Sequence, residues 1–282
     1  MNQVIAFDIG GTNSRITLFD QGKIVMRGEA PTPSKQGPEA VVQNMLALHA
    51  SLKAPNAAVG VAIAGHVVGG RVTAHNEALL AGWNEYPLQD RLAAELGDSV
   101  RVLNDARAAA WGEYIFGAGR GFDEFMFMTV STGVGAGLIL GRRLHIARNG
   151  FDAEVGVSRT EDGSMLEDLA SGSALARLAL QHGYAGGKAL CDAADAGDAR
   201  AEDLYRHGIR EIAKKLADLA VILGVQRVAL GGSVGLRAGY IERLREELAQ
   251  LGALYRIDLA HAELGHDAGL YGVAALLQPQ NG

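Results

Sequence analysis

Two short loops of glycine and hydroxyl residues constrain this chain more than any other feature. They are Asp8-Ile9-Gly10-Gly11-Thr12 and Ser131-Thr132-Gly133-Val134-Gly135. Each closes an apolar run, residues 4–7 in the first case and 124–130 in the second, and each run reads as a buried strand. The same order follows both times: a second strand, a tight hairpin, then helices. The first hairpin is expected at Asp20-Gln21-Gly22 and its counterpart at Gly141-Arg142-Arg143. In a chain of 282 residues this repeated order predicts two related α/β units. The repeat lies in the order of elements and not in near-identical sequence, which argues against a solenoid.

Between the loops, residues 37–53 have helical periodicity, with Val41, Val42, Met45, Leu46 and Leu48 on one side. A strand at 58–64, a hairpin around Gly69-Gly70, a helix at 87–96 and a strand at 100–103 follow. Asn104-Asp105 then opens an alanine-rich helix that runs to about residue 116. In the second half, helices are expected at 164–182, 199–224, 236–250 and 267–277, with short strands at 226–230 and 255–259. The expected domains are a smaller one, residues 1–117 closed by the C-terminal helix at 268–282, and a larger one, residues 118–267. A hinge would lie near 105–120.

The loops carry a chemistry. Gly10 and Gly11 present backbone N–H groups to a phosphate with no Cβ in the way, and Thr12 adds a hydroxyl donor. Asp8, at the strand end, is suited to hold Mg²⁺ through water. Ser131, Thr132 and Gly133 repeat the pattern, and two such loops facing across a cleft can clamp one polyphosphate. A third loop, Gly231-Gly232-Ser233-Val234-Gly235, has a backbone able to pass close to an adenine and ribose. No G-x-x-x-x-G-K-[ST] occurs, and no G-x-G-x-x-G follows the first strand, so P-loop and dinucleotide sites are disfavoured. Asp105 admits two readings. It can cap the helix it opens, or it can take a proton from a hydroxyl that attacks a γ-phosphate. Its place between two phosphate loops favours the base.

Charge and composition narrow the partners. The net charge is −6 and no block of Lys and Arg resembles a nucleic-acid footprint. A nucleotide would then be held by backbone amides and Mg²⁺. The single cysteine, Cys191, excludes an intramolecular disulfide framework and a multi-thiolate metal site, and reads as a buried small apolar residue. His261 and His266 lack zinc-ligand spacing and read as surface or capping residues. The first strand starts almost at once, with no basic n-region before it. No apolar run approaches the roughly 20 residues of a membrane span. No nucleic-acid or membrane partner is expected, and the protein is expected in the cytoplasm.

With these motifs in this order, the chain resembles the ROK family of repressors, uncharacterised reading frames and sugar kinases along essentially its whole length. The segments that carry the likeness are Asp8 to Thr12, Asn104-Asp105-Ala106-Arg107-Ala108-Ala109-Ala110-Trp111, and Thr129 to Gly135. Gly231 to Leu236 and His266-Asp267-Ala268-Gly269-Leu270 complete it. Within the family it looks closest to bacterial N-acetylmannosamine kinases. The resemblance implies an actin-like ATPase (ribonuclease H-like) fold, two α/β domains around a cleft that holds the active site, and a homodimer. It implies transfer of phosphate from MgATP to a hexose or N-acetylhexosamine, at the 6-hydroxyl, with N-acetylmannosamine favoured over glucose and N-acetylglucosamine. Asp105 would be the base and Asn104 a sugar contact, with Gly65, Asn76, Glu154 and Glu167 near the sugar.

Two departures stand out. Many relatives hold a structural zinc with the histidine of a G-E-x-G-H segment and three cysteines. Here that histidine position is Val157, and residues 158–166 contain no cysteine. No zinc is expected, so packing must brace the loop that carries Glu154 and Glu167. Val157 also weakens transfer of substrate identity, because the histidine often touches the sugar. Asn13 stands where lysine is common, and because Asp-Ile-Gly-Gly-Thr-Asn also occurs in some glucokinases, the first loop does not discriminate among sugars. A sugar-sensing regulator is disfavoured because the first strand leaves no room ahead of it for a DNA-binding domain. A non-sugar ATPase of the actin or heat-shock type is disfavoured by Asn104-Asp105 and the candidate sugar carboxylates, and by the small size.

Overall fold

The computed structural model describes residues 3–74, 80–97 and 99–278. The first of its two units runs through Phe116, takes up Ile146–Asp152 and resumes at His266. The second comprises Gly117–His145 and Ala153–Gly265.

The first unit begins with β1 (Gln3–Ile9), β2 (Asn13–Asp20) and β3 (Lys23–Pro31), an antiparallel meander. Then come α1 (Pro38–Ser51), β4 (Ala58–Ile63), the hairpin β5 (His66–Val68) and β6 (Arg71–Thr73), and α2 (Leu88–Leu96). β7 (Val100–Asn104) runs directly into α3 (Asp105–Phe116). The sheet order is β3-β2-β1-β4-β7, with β1, β4 and β7 parallel. Every residue of β4 is buried and so are Val4 to Phe7 of β1, because a central parallel strand is covered on both faces. The three parallel strands end on one side of the sheet. Their carboxyl ends therefore gather Asp8, the Ala64-Gly65 turn and Asn104-Asp105 along one edge, where open α/β sheets take their ligands.

The second unit repeats the plan with β8 (Phe125–Val130), β9 (Val134–Leu140) and β10 (Arg143–Leu144). It continues with α4 (Leu166–Ala170), α5 (Gly172–Gln181), α6 (Gly187–Asp195), α7 (Ala199–Leu223) and β11 (Arg227–Gly231). α8 (Gly232–Gly235), α9 (Tyr240–Gln250) and β12 (Asp258–His261) complete it. Its sheet order is β10-β9-β8-β11-β12, antiparallel through β8 and parallel from β8 to β12, as in the first sheet. The final helix, α10 (Ala268–Leu277), belongs to the first unit and packs on α3 and β4. Two units of this topology make the actin-like ATPase fold expected from the sequence.

The three hairpins form where the glycines placed them. Gln21 and Gly22, Gly69 and Gly70, and Gly141 and Arg142 all adopt positive φ, as the two central residues of a primed hairpin turn must. Other elements differ from expectation. The helix expected at 164–182 breaks at Ser171, whose hydroxyl caps α5 by accepting from Ala174 N–H at 3.1 Å. The helix expected at 236–250 starts at Tyr240, because Gly239 takes the left-handed conformation. The short strand expected at 255–259 is shifted to Asp258–His261 and follows a turn of 3₁₀-helix. α6 had no counterpart in the sequence reading. It buries Leu190, Cys191 and Ala194 on one face, within the core of the second unit.

Candidate functional site

In the first unit, Asn104 and Asp105 divide the work at the start of α3. Asn104 Oδ1 accepts from Arg107 N–H at 3.1 Å, the bond of an N-cap. Its amide nitrogen donates to Gly65 O at 3.0 Å and to Asp105 Oδ1 at 3.1 Å. Asp105 Oδ1 also accepts from Ala106 N–H at 2.8 Å. The first-turn donors of α3 are therefore shared, Arg107 N–H going to Asn104 and Ala106 N–H to Asp105. Gly65 must be glycine here: its φ is 116° and a Cβ would lie 2.8 Å from Thr73 O. Asn76, the other residue expected near the sugar, lies outside the described residues.

Asp8 faces Arg15 across the β1–β2 hairpin, and the two form an ion pair. Arg15 also donates to His266 O at 2.5 Å and approaches Asp267, which Arg27 holds with contacts of 2.7 and 3.0 Å. Burial pushes the Asp8 carboxyl above its ordinary value despite Arg15. The Arg27 hydrogen bond holds the Asp267 carboxyl below its ordinary value. Arg15 was not singled out in the sequence, though its place opposite Asp8 across a Gly-Gly turn was a usable signal. Gly10 N–H donates to Asn13 O at 3.0 Å and Thr32 N–H to Thr12 O at 2.8 Å. Neither Gly10 nor Gly11 takes a positive φ. The turn does not demand glycine for its conformation.

In the second unit, Ser131 and Thr132 line a cavity of about 540 Å³ together with Ser233, Ala176, Lys188 and Arg237. The first turns of α5 and α6 open onto it through Gly172, Ser173 and Gly187. The α6 N-terminus gives its wall a partial positive charge, while Lys188 and Arg237 are paired with Asp192 and Asp195. The loop itself is held from behind: Gly172 N–H donates to Ser131 O at 2.6 Å and Ser173 N–H to Thr132 O at 3.3 Å. Gly231 ends β11. A Cβ on Gly232, whose φ is 81°, would meet Val130 O at 2.4 Å, so the third loop presses its backbone on the end of β8 just before the second. The buried thiol of Cys191 lies at the cavity and burial raises its pKa. Lys188, Cys191 and Arg237 were not in the candidate set, because nothing in their spacing marks them; α6 and the turn after α8 deliver them.

Glu167 is placed against the second loop. Its Oε2 accepts from Val134 N–H at 2.8 Å, and a Cβ on Gly133 would stand 2.3 Å from the same oxygen. Gly156, two residues after Glu154, lies close enough that a Cβ would meet Val134 O at 2.2 Å. The loop thus meets the turn after Glu154 at backbone contact and the start of α4 through the Glu167 carboxylate. Between them residues 158–166 form a hydrogen-bonded hairpin and are held by more than packing. Thr160 N–H donates to Ser164 O at 2.9 Å, Ser164 N–H to Asp162 Oδ1 at 2.9 Å, and Leu166 N–H to Ser158 O at 2.9 Å. Lys215 Nζ, on α7, ties it down through Arg159 O at 3.2 Å. Val157 is 36 % exposed. Among the described residues, no group of three or more His, Cys, Asp or Glu is placed to hold a metal ion. No described helix is long and apolar enough to cross a membrane.

Known proteins share this chain's pattern. The model of the ROK family matches residues 4–280. A bifunctional NanE/NanK enzyme of Brucella melitensis is 38 % identical over 277 residues, 97 % of this chain and 53 % of that protein. The chain thus spans about half the length of that relative. An N-acetylmannosamine kinase of Escherichia fergusonii is 35 % identical over 286 residues, 97 % of this chain and 98 % of that one. The crystal structure of a ROK family glucokinase from Streptomyces griseus, in complex with glucose and AMPPNP, superposes with a TM-score of 0.80. It is 33 % identical and covers 97 % of this chain and 98 % of its own. A family match over nearly every residue, on a fold whose two sheets repeat one strand order, leaves a single assignment: the chain belongs to the ROK family.

Proposed function

We propose that the chain is an ATP-dependent sugar kinase in which Asp105 acts as general base. The observation that carries this reading is the division of labour at α3. Asn104 takes the cap bond from Arg107 N–H, so the start of α3 does not depend on Asp105 alone, whose carboxylate accepts from Ala106 N–H. It stands at the carboxyl edge of the parallel strands. The sugar hydroxyl would give its proton to Asp105 as its oxygen attacks the γ-phosphorus, and the bond to the β-phosphate oxygen breaks to release ADP. Asn104, Gly65, Glu154 and Glu167 would contact the sugar, and Asn76 is proposed alongside them.

The second unit's cavity would take the nucleotide, with Ser131, Thr132, Gly133 and the α6 N-terminus near phosphate. Gly231, Gly232 and Ser233 would line the nucleoside end. Gly11 and Thr12 would meet the terminal phosphates through backbone N–H groups and a hydroxyl, with Gly10, whose N–H is held by Asn13 O, closing the turn beside them. One carboxylate beside a phosphate-binding turn is a donor set that suits Mg²⁺, which keeps most of its waters. Asp8 would hold that ion through water, where it supplies charge neutralisation on the phosphates.

N-acetylmannosamine, phosphorylated at its 6-hydroxyl, is the favoured substrate, because full-length relatives at 35 % identity carry that name. Glucose is the alternative, supported by the 33 % identical glucokinase. A cytoplasmic homodimer is part of the same proposal, and sedimentation would test it. ADP release coupled to NADH oxidation, with N-acetylmannosamine, N-acetylglucosamine and glucose side by side, tests the activity. Sugar-dependent turnover with one of them is expected. Its absence with all three, together with other hexoses, would sink the kinase reading.

A further inference from the structure

The proposed mechanism makes no use of the largest buried cation in the first unit. Arg107 is 2 % exposed, and its Nε lies 2.6 Å from Oδ1 of Asp152, whose side chain has no exposed surface. Arg107 Nη1 donates to Val67 O at 3.1 Å and Nη2 donates to Gly150 O. Asp152 Oδ2 accepts from Ala147 N–H at 2.8 Å. One guanidinium therefore joins three separate stretches of chain: the start of α3, strand β5 and the segment Ile146–Asp152. That segment interrupts the sequence of the second unit but packs in the first.

The same stretches meet the candidate sugar residues. Asn104 and Arg107 are one helical turn apart, and they hold Gly65 O and Val67 O respectively, two residues apart on the neighbouring strand. Residues 150–152 are seated on that strand as well. Gly150 takes φ 74°, and a Cβ on it would meet His66 Cε1 and Val68 Cγ2 at 2.6 Å. The Phe151 ring lies 4.7 Å from that of His66. Two peptide bonds beyond Asp152 comes Glu154, and chain geometry limits the Cα of Glu154 to about 7 Å from that of Asp152.

We infer that the Arg107–Asp152 pair is a positioning latch for the sugar. It fixes Gly65 and the start of α3 on one side and the anchor point of the Glu154 turn on the other. This rests on the sugar-kinase reading above. Fold stability alone does not explain such a pair. Desolvating two charges costs about what their attraction returns, and apolar replacements of similar volume are often neutral. A misplacement of about 1 Å at a reacting group, by contrast, can cost on the order of 100-fold in rate.

The test compares wild type, Asp152→Asn and the double variant R107M/D152L, which removes both charges and keeps an apolar fill. Thermal unfolding and full kinetics in both substrates are measured, with hydrogen exchange of peptides covering 65–68 and 146–154. The expected result has two parts. Both variants lose on the order of 100-fold in kcat/KM for the sugar while KM for ATP stays within about twofold. The double variant does so although it melts close to wild type. Exchange in the two peptide regions speeds up in both variants. A folded double variant with wild-type sugar kinetics overturns the latch, as do equal losses for sugar and ATP, or unchanged exchange at 146–154. If wild type itself shows no sugar-dependent turnover, the kinase reading fails first and takes the latch's catalytic role with it. That outcome is distinguishable because it appears before any substitution is made.

Discussion

Helix α3, which begins at Asp105, crosses α10 with no space between their backbones. A Cβ placed on Gly272 would lie 1.7 Å from the Ala108 carbonyl oxygen and 2.5 Å from its carbon. Ordinary contact begins at 3.4 Å. Gly272→Ala must therefore part the helices by about 1.7 Å, the difference between those two oxygen distances. The obstructing atoms are backbone, so no side chain can rotate away. Replacing a mid-helix glycine by alanine gains about 1 kcal/mol in propensity, whereas overpacking costs about 1–3 kcal/mol and more when backbones must move. The displacement here places the cost at the upper end. A net loss of about 1–3 kcal/mol lowers the melting temperature by roughly 2–10 °C in a chain of this size. The shift also moves the helix that carries Asp105, the proposed base, so kcat should fall with it. Gly112→Ala is the graded control. Its Cβ would meet Ala268 O at 2.3 Å, a smaller overlap in the same crossing, so its losses should be smaller. Calorimetry with the coupled kinase assay decides the matter. A Gly272→Ala protein as stable and as active as wild type, or one less impaired than Gly112→Ala, would refute the packing argument.

Three further outcomes are expected. His49 is buried near the end of α1 with Nε2 unpartnered, and burial lowers its pKa below 6.5. The unfolded chain then binds more protons than the folded one as pH falls through about 6.5, so stability is lost on acidification across that range. His49→Leu should flatten that part of the stability curve, and an unchanged slope would count against it. Glu167→Ala leaves Val134 N–H without its acceptor and should raise KM for both substrates. Glu167→Gln keeps an amide oxygen for that N–H and should restore KM for ATP but not for sugar. Equal ATP defects in the two would remove the loop-holding role. Ala176→Phe, at the cavity of the second unit, should raise KM for ATP by about tenfold or more with sugar KM unchanged. An unaffected ATP KM would place the nucleotide elsewhere.

The fold was largely legible because its signals are local. Buried apolar runs, a glycine turn after each, and paired positive-φ residues at 21–22, 69–70 and 141–142 mark where strands begin, end and reverse. Of the candidate site residues, the sequence placed correctly in the fold those at strand ends, such as Asp8, Ser131 and Asn104-Asp105. What escaped depends on tertiary approach. Residues 146–152 cross into the first unit because Arg107 and Asp152 find each other across 45 residues of sequence, a pairing no periodicity announces. Lys188 and Arg237 reach the cavity from a helix too short and too mixed in composition to stand out and from a turn read as helix. Glu167 was singled out only by resemblance; its bond to Val134 N–H follows from the short hairpin at 158–166.

Asp105→Asn measures the central claim most directly. Asparagine keeps the size and an acceptor for Ala106 N–H, and Asn104 still caps α3, so the fold should stand. With the sugar that wild type turns over, single-turnover transfer from MgATP should fall by about 10²–10⁴-fold, while ATP affinity by calorimetry stays unchanged. A variant that transfers phosphate within about tenfold of wild type would show that Asp105 is not the base, and the mechanism would have to be rebuilt around another residue.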